Sequence, residues 1–177
     1  IRRNLLGRRA TEMSRSFITC DPNLRIDEIG LPKSIARTIQ KPVKVQEYNY
    51  EEMLVYFMNG TKIYPGASKI YKAEKKSTHW LAFSKEKLEI GDVLYRDIID
   101  GDIVGFNRQP SLEPSNIGSH KVVIMEKGDT IRINVLACPM YNADFDGDAM
   151  NVLWPKSNRT TNEILSLSSP AQRFVSY

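Results

Sequence analysis

The sequence contains little cysteine and little histidine. Its two cysteines, Cys20 and Cys138, are far apart, and neither belongs to a CxxC pair or lies near a histidine. This pattern argues against a zinc site and fits a reducing compartment. No apolar run approaches the roughly 20 residues that a membrane-spanning helix needs, so we expect no membrane partner.

The opening segment is rich in arginine and poor in acidic residues. The net charge of the 177-residue chain is +4, and Glu12 is the only acid among the first fifteen residues. Arginine binds phosphate with two parallel hydrogen bonds, which favours a nucleic-acid contact. A solvated, flexible arm is equally compatible with this cluster. The chain begins with Ile1, and we expect it to be a fragment of a longer protein. The clustered arginines are Arg2, Arg3, Arg8, Arg9 and Arg15.

Turn and cap residues predict two short helices before Gly60. The first, in "LPKSIARTIQKP", is bounded by Pro32 and ends before Pro42. The second, in "NYEEMLVYFMNG", can be capped by Asn49 and ended by Gly60. We expect its apolar stripe to pack in the core. The stripe consists of Leu54, Phe57 and Met58.

After Gly60 the pattern changes to short β-like segments separated by turns. "TKIYPGASKIYKA" alternates, "WLAFS" predicts a short strand, and two apolar runs are joined by a turn at residues 100–102. "HKVVIMEKGDTIRINVLAC" is typical of a hairpin that turns at residues 127–129, and "NEILSLSS" predicts a short final helix. Two helices followed by a β-rich half indicate a small closed barrel with helical decoration.

The segment "MYNADFDGDAMNV" places three aspartates at every second position, Asp144, Asp146 and Asp148. Aspartates at strand ends often only cap turns, but three carboxylates around Gly147 can converge on one point. Like charges so close repel, and a divalent cation would compensate them. Ligands that are all oxygen suit Mg²⁺ or Mn²⁺, with substrate phosphates and water completing the coordination.

A calcium-binding EF-hand is the main alternative for this loop, and the sequence fits it poorly. An EF-hand requires glycine at its sixth position and a bidentate glutamate at its twelfth. The register that starts at Asn142 has Gly147 sixth but Leu153 twelfth, and the register that starts at Asp144 ends at Pro155. Neither supplies the glutamate, so the residues favour a site for phosphate chemistry.

Four segments resemble, in the same order, the largest subunit of multi-subunit DNA-directed RNA polymerases. They are "IRRNLLGRRATEMSRSFITCDPNLRIDEIGLP", "YPGA", "GDIVGFNRQPSL" and "YNADFDGDAMN", and the resemblance covers nearly the whole chain. It implies an α+β, β-rich fold in which a double-psi β-barrel bears the acidic catalytic loop, with short helical decorations. Residues 1–31 would form a basic segment that contacts the template, 32–60 a helical insertion, and 61–177 a β-rich barrel portion with the metal-binding loop.

The resemblance also implies the roles of individual residues. The three aspartates of the loop would hold a catalytic Mg²⁺ and share a second Mg²⁺ that arrives with the nucleotide. Asn142 and Arg108 would contact the ribose hydroxyls of the incoming nucleotide, and Pro110 would shape that pocket. Arg9 and Arg15 match basic residues near the template strand and the RNA–DNA hybrid.

The implied activity is DNA-templated RNA synthesis by two-metal nucleotidyl transfer inside a multi-subunit assembly. The implied partners are the second-largest subunit, which contributes a facing barrel, smaller polymerase subunits, template DNA, the RNA–DNA hybrid and nucleoside triphosphates. The expected location is intracellular: the nucleus, or the host cytoplasm and virion for a viral protein.

Three departures from the family pattern stand out. "GRRATEMSR" replaces the usual "GKRVDFSAR", Glu113 stands where a histidine is usual, and Ala149 stands where the acidic motif usually ends in glutamate. Ala149 removes one carboxylate that could support the second ion. This divergence suggests a large DNA virus as the source.

Two other functions remain open. A single-chain RNA-dependent RNA polymerase of the double-psi type carries a similar DxDGD motif, although the "NRQPSL" segment and the arginine-rich opening disfavour it. A non-catalytic nucleic-acid-binding module, in which the acidic loop is only structural, is the third interpretation. Metal titration would separate the last from the other two.

Overall fold

Six strands close into a mixed barrel that carries the acidic loop. The computed structural model describes residues 13–81, 87–111, 116–155 and 157–170. The barrel strands are β1 (Met13–Cys20), β2 (Glu28–Pro32), β7 (Ile103–Asn107), β8 (Ile117–Met125), β9 (Ile131–Ile133) and β10 (Ala149–Leu153). Their order is β1-β10-β7-β8-β2-β9, and β9 pairs with β1 to close the barrel. The closed barrel confirms the predicted β-rich fold and is consistent with a double-psi barrel.

The predicted hairpin at residues 127–129 is wrong, because β2 lies between its two arms. Strand β2 runs parallel to β8 and antiparallel to β9, so the turn joins strands that do not pair with each other. Ile29 and Leu31 of β2 are fully buried, and a Cβ at Gly30 would lie 2.9 Å from Arg132 Cβ. The strand therefore fits only in the interior of the sheet, a long-range constraint that no local turn signal carries.

A second sheet of four antiparallel strands, in the order β3-β6-β4-β5, stands beside the barrel. Strands of the barrel and of this sheet therefore begin before Gly60, which corrects the prediction that the β-structure follows the two helices. Of the predicted strand "WLAFS", only Trp80 belongs to a described strand, and residues 82–86 lie outside the described ranges. The strands of this sheet are β3 (Gln40–Lys44), β4 (Ala67–Lys72), β5 (Ser77–Trp80) and β6 (Val93–Asp97).

Within the described ranges, four α-helices pack around the two sheets. The short helix expected after Pro32 and the final helix are confirmed, and Gly60 ends the second helix with a positive φ of 54°. Asn49 does not cap that helix: its side chain instead accepts a hydrogen bond from Gln46 N and donates one to Lys44 O. The helices are α1 (Lys33–Thr38), α2 (Tyr50–Asn59), α3 (Cys138–Tyr141) and α4 (Asn158–Ser168). Among the described helices, none is both long enough and apolar enough to cross a membrane.

The buried face of α2 differs from the predicted one. Met53 and Tyr56 are buried in the cluster between α2 and the second sheet, and Phe57 packs partly against it. Leu54 is 37% exposed and Met58 is 77% exposed, so the expectation that they form core was wrong. Residues 53, 56 and 57 have the same i, i+3, i+4 spacing as the predicted stripe. The prediction missed this face because Tyr56 is not an aliphatic residue.

A buried ion pair lies where the second sheet leads into the barrel. Arg96 of β6 donates two hydrogen bonds to Asp102, at 2.7 and 2.9 Å, and both side chains are 8% exposed. Lys41 Nζ lies 3.5 Å from the same carboxylate, which also accepts a hydrogen bond from Ile99 N. Burial alone would raise the pKa of Asp102, but Arg96, the Ile99 amide and Lys41 together outweigh it and hold the pKa below its ordinary value.

We expect Asp102→Asn to destabilise the fold by about 3–5 kcal/mol at neutral pH, because it leaves Arg96 buried without its counter-ion. Since the folded-state pKa of Asp102 is lowered, its contribution is complete above the ordinary carboxylate pKa of about 4 and is lost as pH falls below it. Urea unfolding at a series of pH values from 7 to 3 measures this. The difference in the free energy of unfolding between wild type and Asp102→Asn should shrink as pH falls.

The matched control is Asp129→Asn, which changes an exposed carboxylate at the turn between β8 and β9 and should alter the free energy of unfolding little. A gap for Asp102→Asn that is below about 1 kcal/mol, or that does not change with pH, would contradict the assigned role of the pair.

Candidate metal centre

The acidic loop spans residues 142–148, between the end of α3 and the start of β10. Two residues with positive φ bend it: Asn142, at φ 48° and ψ 46°, ends α3, and Gly147 has φ 122°. The space around Gly147 would admit a Cβ, so glycine is favoured there by its backbone conformation rather than by crowding. Ile18 N of β1 donates to Asp148 O at 3.0 Å, which fixes the far end of the loop to the barrel.

The loop brings together the carboxylates of Asp144, Asp146 and Asp148. One oxygen of each lies within 4.8 Å of the others, and among the described residues this is the one group of three with metal-binding side chains. The neighbouring Asp146 carboxylate raises the pKa of Asp144. The proximity predicted from the spacing is therefore present, and the all-oxygen donor set fits Mg²⁺ or Mn²⁺.

Arg108 reaches this cluster from the end of β7. Its Nε lies 2.7 Å from Asp148 Oδ2 and its second guanidinium nitrogen 3.2 Å from Oδ1, which is a two-point ion pair. The guanidinium holds the pKa of Asp148 below its ordinary value, opposite to the shift at Asp144. Arg108 therefore compensates the charge of Asp148, while the carboxylates of Asp144 and Asp146 repel each other.

A series of hydrogen bonds holds the turn that carries Arg108. Asn151 of β10 donates to Asn107 Oδ1 at 3.1 Å, and Asn107 donates to Ser111 Oγ at 2.9 Å. Ser111 Oγ in turn donates to the Arg108 carbonyl at 3.0 Å. Asn107 and Asn151 are also register partners in the β7–β10 ladder. The turn is therefore tied to the strand that follows the acidic loop.

The other residues proposed for the site lie around this cluster or outside the described ranges. Asn142 and Pro110 are exposed, the latter after a cis Gln109–Pro110 peptide bond. Arg15 is exposed on β1 opposite Asn151 in register. Arg9 and the departure at Glu113 lie outside the described residues.

Sequence reasoning missed the support around Arg108. Asn107 directly precedes Arg108 and Asn151 stands seven residues after Asp144, so both lie inside the motifs already quoted. Their partnership depends on the β7–β10 register, which joins residues 44 positions apart. Sequence reasoning also missed the ion pair between Arg108 and Asp148. Each side chain, taken alone, is as compatible with a contact to substrate as with an ion pair.

Comparison with known proteins places the chain in one family. The family model described as RNA polymerase Rpb1, domain 2, matches residues 7–169. A DNA-directed RNA polymerase RPB1 homolog of African swine fever virus (isolate Tick/South Africa/Pretoriuskop Pr4/1996) is 46% identical over 99% of this chain and 12% of its own length. DNA-directed RNA polymerase III subunit rpc1 of Dictyostelium discoideum is 42% identical over 98% of this chain and 12% of its own length.

An archaeal relative shows the same pattern. DNA-directed RNA polymerase subunit Rpo1N of Sulfolobus acidocaldarius is 41% identical over 94% of this chain and 19% of its own length. The chain thus spans a small part of relatives from a virus, a eukaryote and an archaeon, so the viral source suggested by the sequence stays a prediction. The match over residues 7–169 shows that the chain belongs to the RNA polymerase Rpb1 domain 2 family.

Proposed function

We propose that this chain is the active-centre region of the largest subunit of a DNA-directed RNA polymerase and takes part in DNA-templated RNA synthesis. The observation that carries the proposal is the convergence of three carboxylates within 4.8 Å, beside Arg108, in a chain of this family. The names of the relatives favour DNA-directed synthesis over the RNA-dependent alternative.

The loop carboxylates of Asp144, Asp146 and Asp148 would hold a Mg²⁺ ion and share a second one that arrives with the nucleotide. When bound, such ions lower the pKa of the attacking RNA 3′-hydroxyl and neutralise the leaving pyrophosphate. The contribution of the chain itself is to keep three oxygens close despite their repulsion. The ordered end of the loop at Asp148, held by Ile18 N and Arg108, supports this role.

Arg108 and Asn142 would read the sugar of the incoming nucleotide. Arginine only donates hydrogen bonds, whereas the asparagine amide both donates and accepts, so Asn142 can pair with a 2′-hydroxyl in either sense. Arg108 contacts Asp148 in the structure. A cation bound by Asp148 would weaken that ion pair and make the guanidinium available to the ribose hydroxyls. Pro110 would limit the pocket from the same turn.

The remaining assignments follow from the family. The proposed partners are the second-largest subunit with its facing barrel, smaller polymerase subunits, template DNA, the RNA–DNA hybrid and nucleoside triphosphates, and the proposed setting is inside cells or virions. The exposure of Arg15 on β1 supports a role in nucleic-acid binding, and Arg9 is proposed for the same role from its motif. The division into segments 1–31, 32–60 and 61–177 also stays a proposal.

We expect the chain to bind Mn²⁺ with a saturable heat in calorimetry, and Asp146→Ala to weaken that binding by more than about ten-fold, since it removes one of the three oxygen ligands. Asp129→Ala, which changes an exposed carboxylate outside the acidic cluster at the turn between β8 and β9, is the matched control and should bind like wild type. Equal heats from wild type and Asp146→Ala would mean that the acidic loop is structural, as in a non-catalytic nucleic-acid-binding module.

We expect Asn142→Ala in the assembled polymerase to lower the ratio of kcat/KM for UTP over dUTP by roughly ten- to a hundred-fold. The ribonucleotide loses a buried hydrogen bond worth about 1–3 kcal/mol, which the deoxynucleotide never made. Single-nucleotide addition kinetics measure the ratio. Asn158→Ala, at an exposed position of α4, is the control. If Asn142→Ala slows both nucleotides equally, Asn142 supports the loop and does not read the sugar.

A further inference from the structure

Tyr141, the residue before Asn142, is buried against strand β8. Its side chain is 1% exposed, and its hydroxyl oxygen lies 2.5 Å from Nε2 of His120, which is also 1% exposed. Neither residue contributes to the metal cluster or to the proposed sugar contacts. The hydrogen bond joins the last residue of α3 to the middle of a barrel strand, 21 positions away in sequence.

The surroundings are shaped to receive the phenol ring. Gly118 lies two positions before His120 on the same face of β8, and a Cβ at that position would collide with the Tyr141 hydroxyl and lie 2.8 Å from the Met140 methyl group. Phe106, the register partner of Gly118, meets the Tyr141 ring edge-on with centroids 5.3 Å apart and the His120 ring at 5.7 Å. The absence of a side chain at Gly118 therefore makes room for the phenol, and the rings of Phe106 and His120 pack beside it.

The protonation state of His120 suits a hydrogen-bond acceptor. Burial lowers the pKa of His120 to about 4, so the imidazole is neutral at physiological pH. A neutral imidazole has one nitrogen with a lone pair, and Nε2 can use it to accept the Tyr141 O–H. The hydrogen bond therefore does not depend on a charge on His120.

The position of Tyr141 sets the start of the acidic loop. The chain turns at Asn142 in the left-handed conformation, where Asn142 N donates to Pro139 O and Ala143 N donates to Cys138 O, both at 3.2 Å. These two hydrogen bonds restrict the backbone between Tyr141 and the acidic loop. The first residues of the loop are therefore tied to α3, whose last side chain is the buried Tyr141.

We propose that His120 and Tyr141 are positioning residues for the active centre: their hydrogen bond fixes the direction in which Asn142 and the acidic loop leave the barrel. This inference rests on the proposed function. It assigns a role to a buried histidine that lies outside the carboxylate cluster and outside the proposed sugar contacts.

Two variants remove the bond, and two variants serve as comparison. Tyr141→Phe keeps the ring and removes only the hydroxyl, and His120→Leu removes the acceptor. His120→Gln restores an acceptor at the end of a side chain of similar reach. His79→Leu, on strand β5 of the second sheet, is the control because it changes the other histidine of the chain.

The first readout is hydrogen exchange at the Asn142 and Ala143 amides in the metal-free chain. Tyr141→Phe and His120→Leu should each speed exchange there by roughly five- to ten-fold, the effect of one net hydrogen bond, while the Leu136 amide is unaffected. His120→Gln should restore most of the protection, and the double variant should exchange no faster than either single one. Unchanged exchange in Tyr141→Phe would overturn the proposal, even if His120→Leu failed to fold.

The second readout is Mn²⁺ affinity by calorimetry. We expect both bond-removing variants to bind Mn²⁺ about ten-fold more weakly, at the lower end of the effect of losing groups that orient metal ligands. His79→Leu should bind like wild type. Faster exchange with unchanged affinity would overturn the positioning role, because the bond would then support only the fold. If wild type itself binds no Mn²⁺, the proposed metal site fails, while the exchange experiment still decides whether the bond directs the loop.

Discussion

The antiparallel ladder between β7 and β10 is the constraint on which the candidate site depends. Strand β10 starts where the acidic loop ends, and β7 ends where the Arg108 turn begins. Because the two strands run in opposite directions, the start of one lies beside the end of the other. Asn151 and Asn107 are paired in this register, and their side chains are hydrogen-bonded to each other. A shift of one residue would turn the side chains of one strand to the opposite face. Strand β1 holds the opposite edge of β10 and binds the loop through Ile18.

Within this frame the electrostatics of the cluster are unequal. Asp148 pairs with Arg108 and its pKa is lowered, whereas Asp144 faces Asp146 and its pKa is raised. A divalent cation would relieve the repulsion at Asp144 and compete with Arg108 at Asp148 at the same time. The proposed metal site and the proposed sugar contact are therefore coupled through one carboxylate, so a change at Arg108 should also alter metal affinity.

Local signals in the sequence predict a substantial part of this molecule. The helices α1, α2 and α4, the β-rich barrel and the proximity of the three aspartates follow from bounding prolines and glycine, apolar patterning and spacing within a few residues. The resemblance to the polymerase family added the identity of the barrel and the candidate roles of Arg108 and Asn142, which no periodicity carries.

The failures share one physical cause, which is that tertiary partners override local pattern. Residues 127–129 connect β8 to β9, but β2 lies between these two strands and pairs with both. Strand β2 is buried and parallel to β8, and such strands lie in the interior of a sheet. Helix α2 buries the face of Met53 and Tyr56, since Tyr56 packs its ring in the core and satisfies its hydroxyl at Glu52. The contact of Tyr141 with His120 was invisible for the same reason.

The most direct test of the account is paramagnetic broadening by Mn²⁺ in the amide NMR spectrum of the ¹⁵N-labelled chain. If the β7–β10 ladder brings both segments to one metal centre, trace Mn²⁺ should first broaden the amides of residues 107–109, 111 and 142–149. Amides of the second sheet, such as that of Ile70, should stay sharp. Broadening centred on other acids, such as Glu51 and Glu52 of α2, or spread evenly over the chain, would contradict the account.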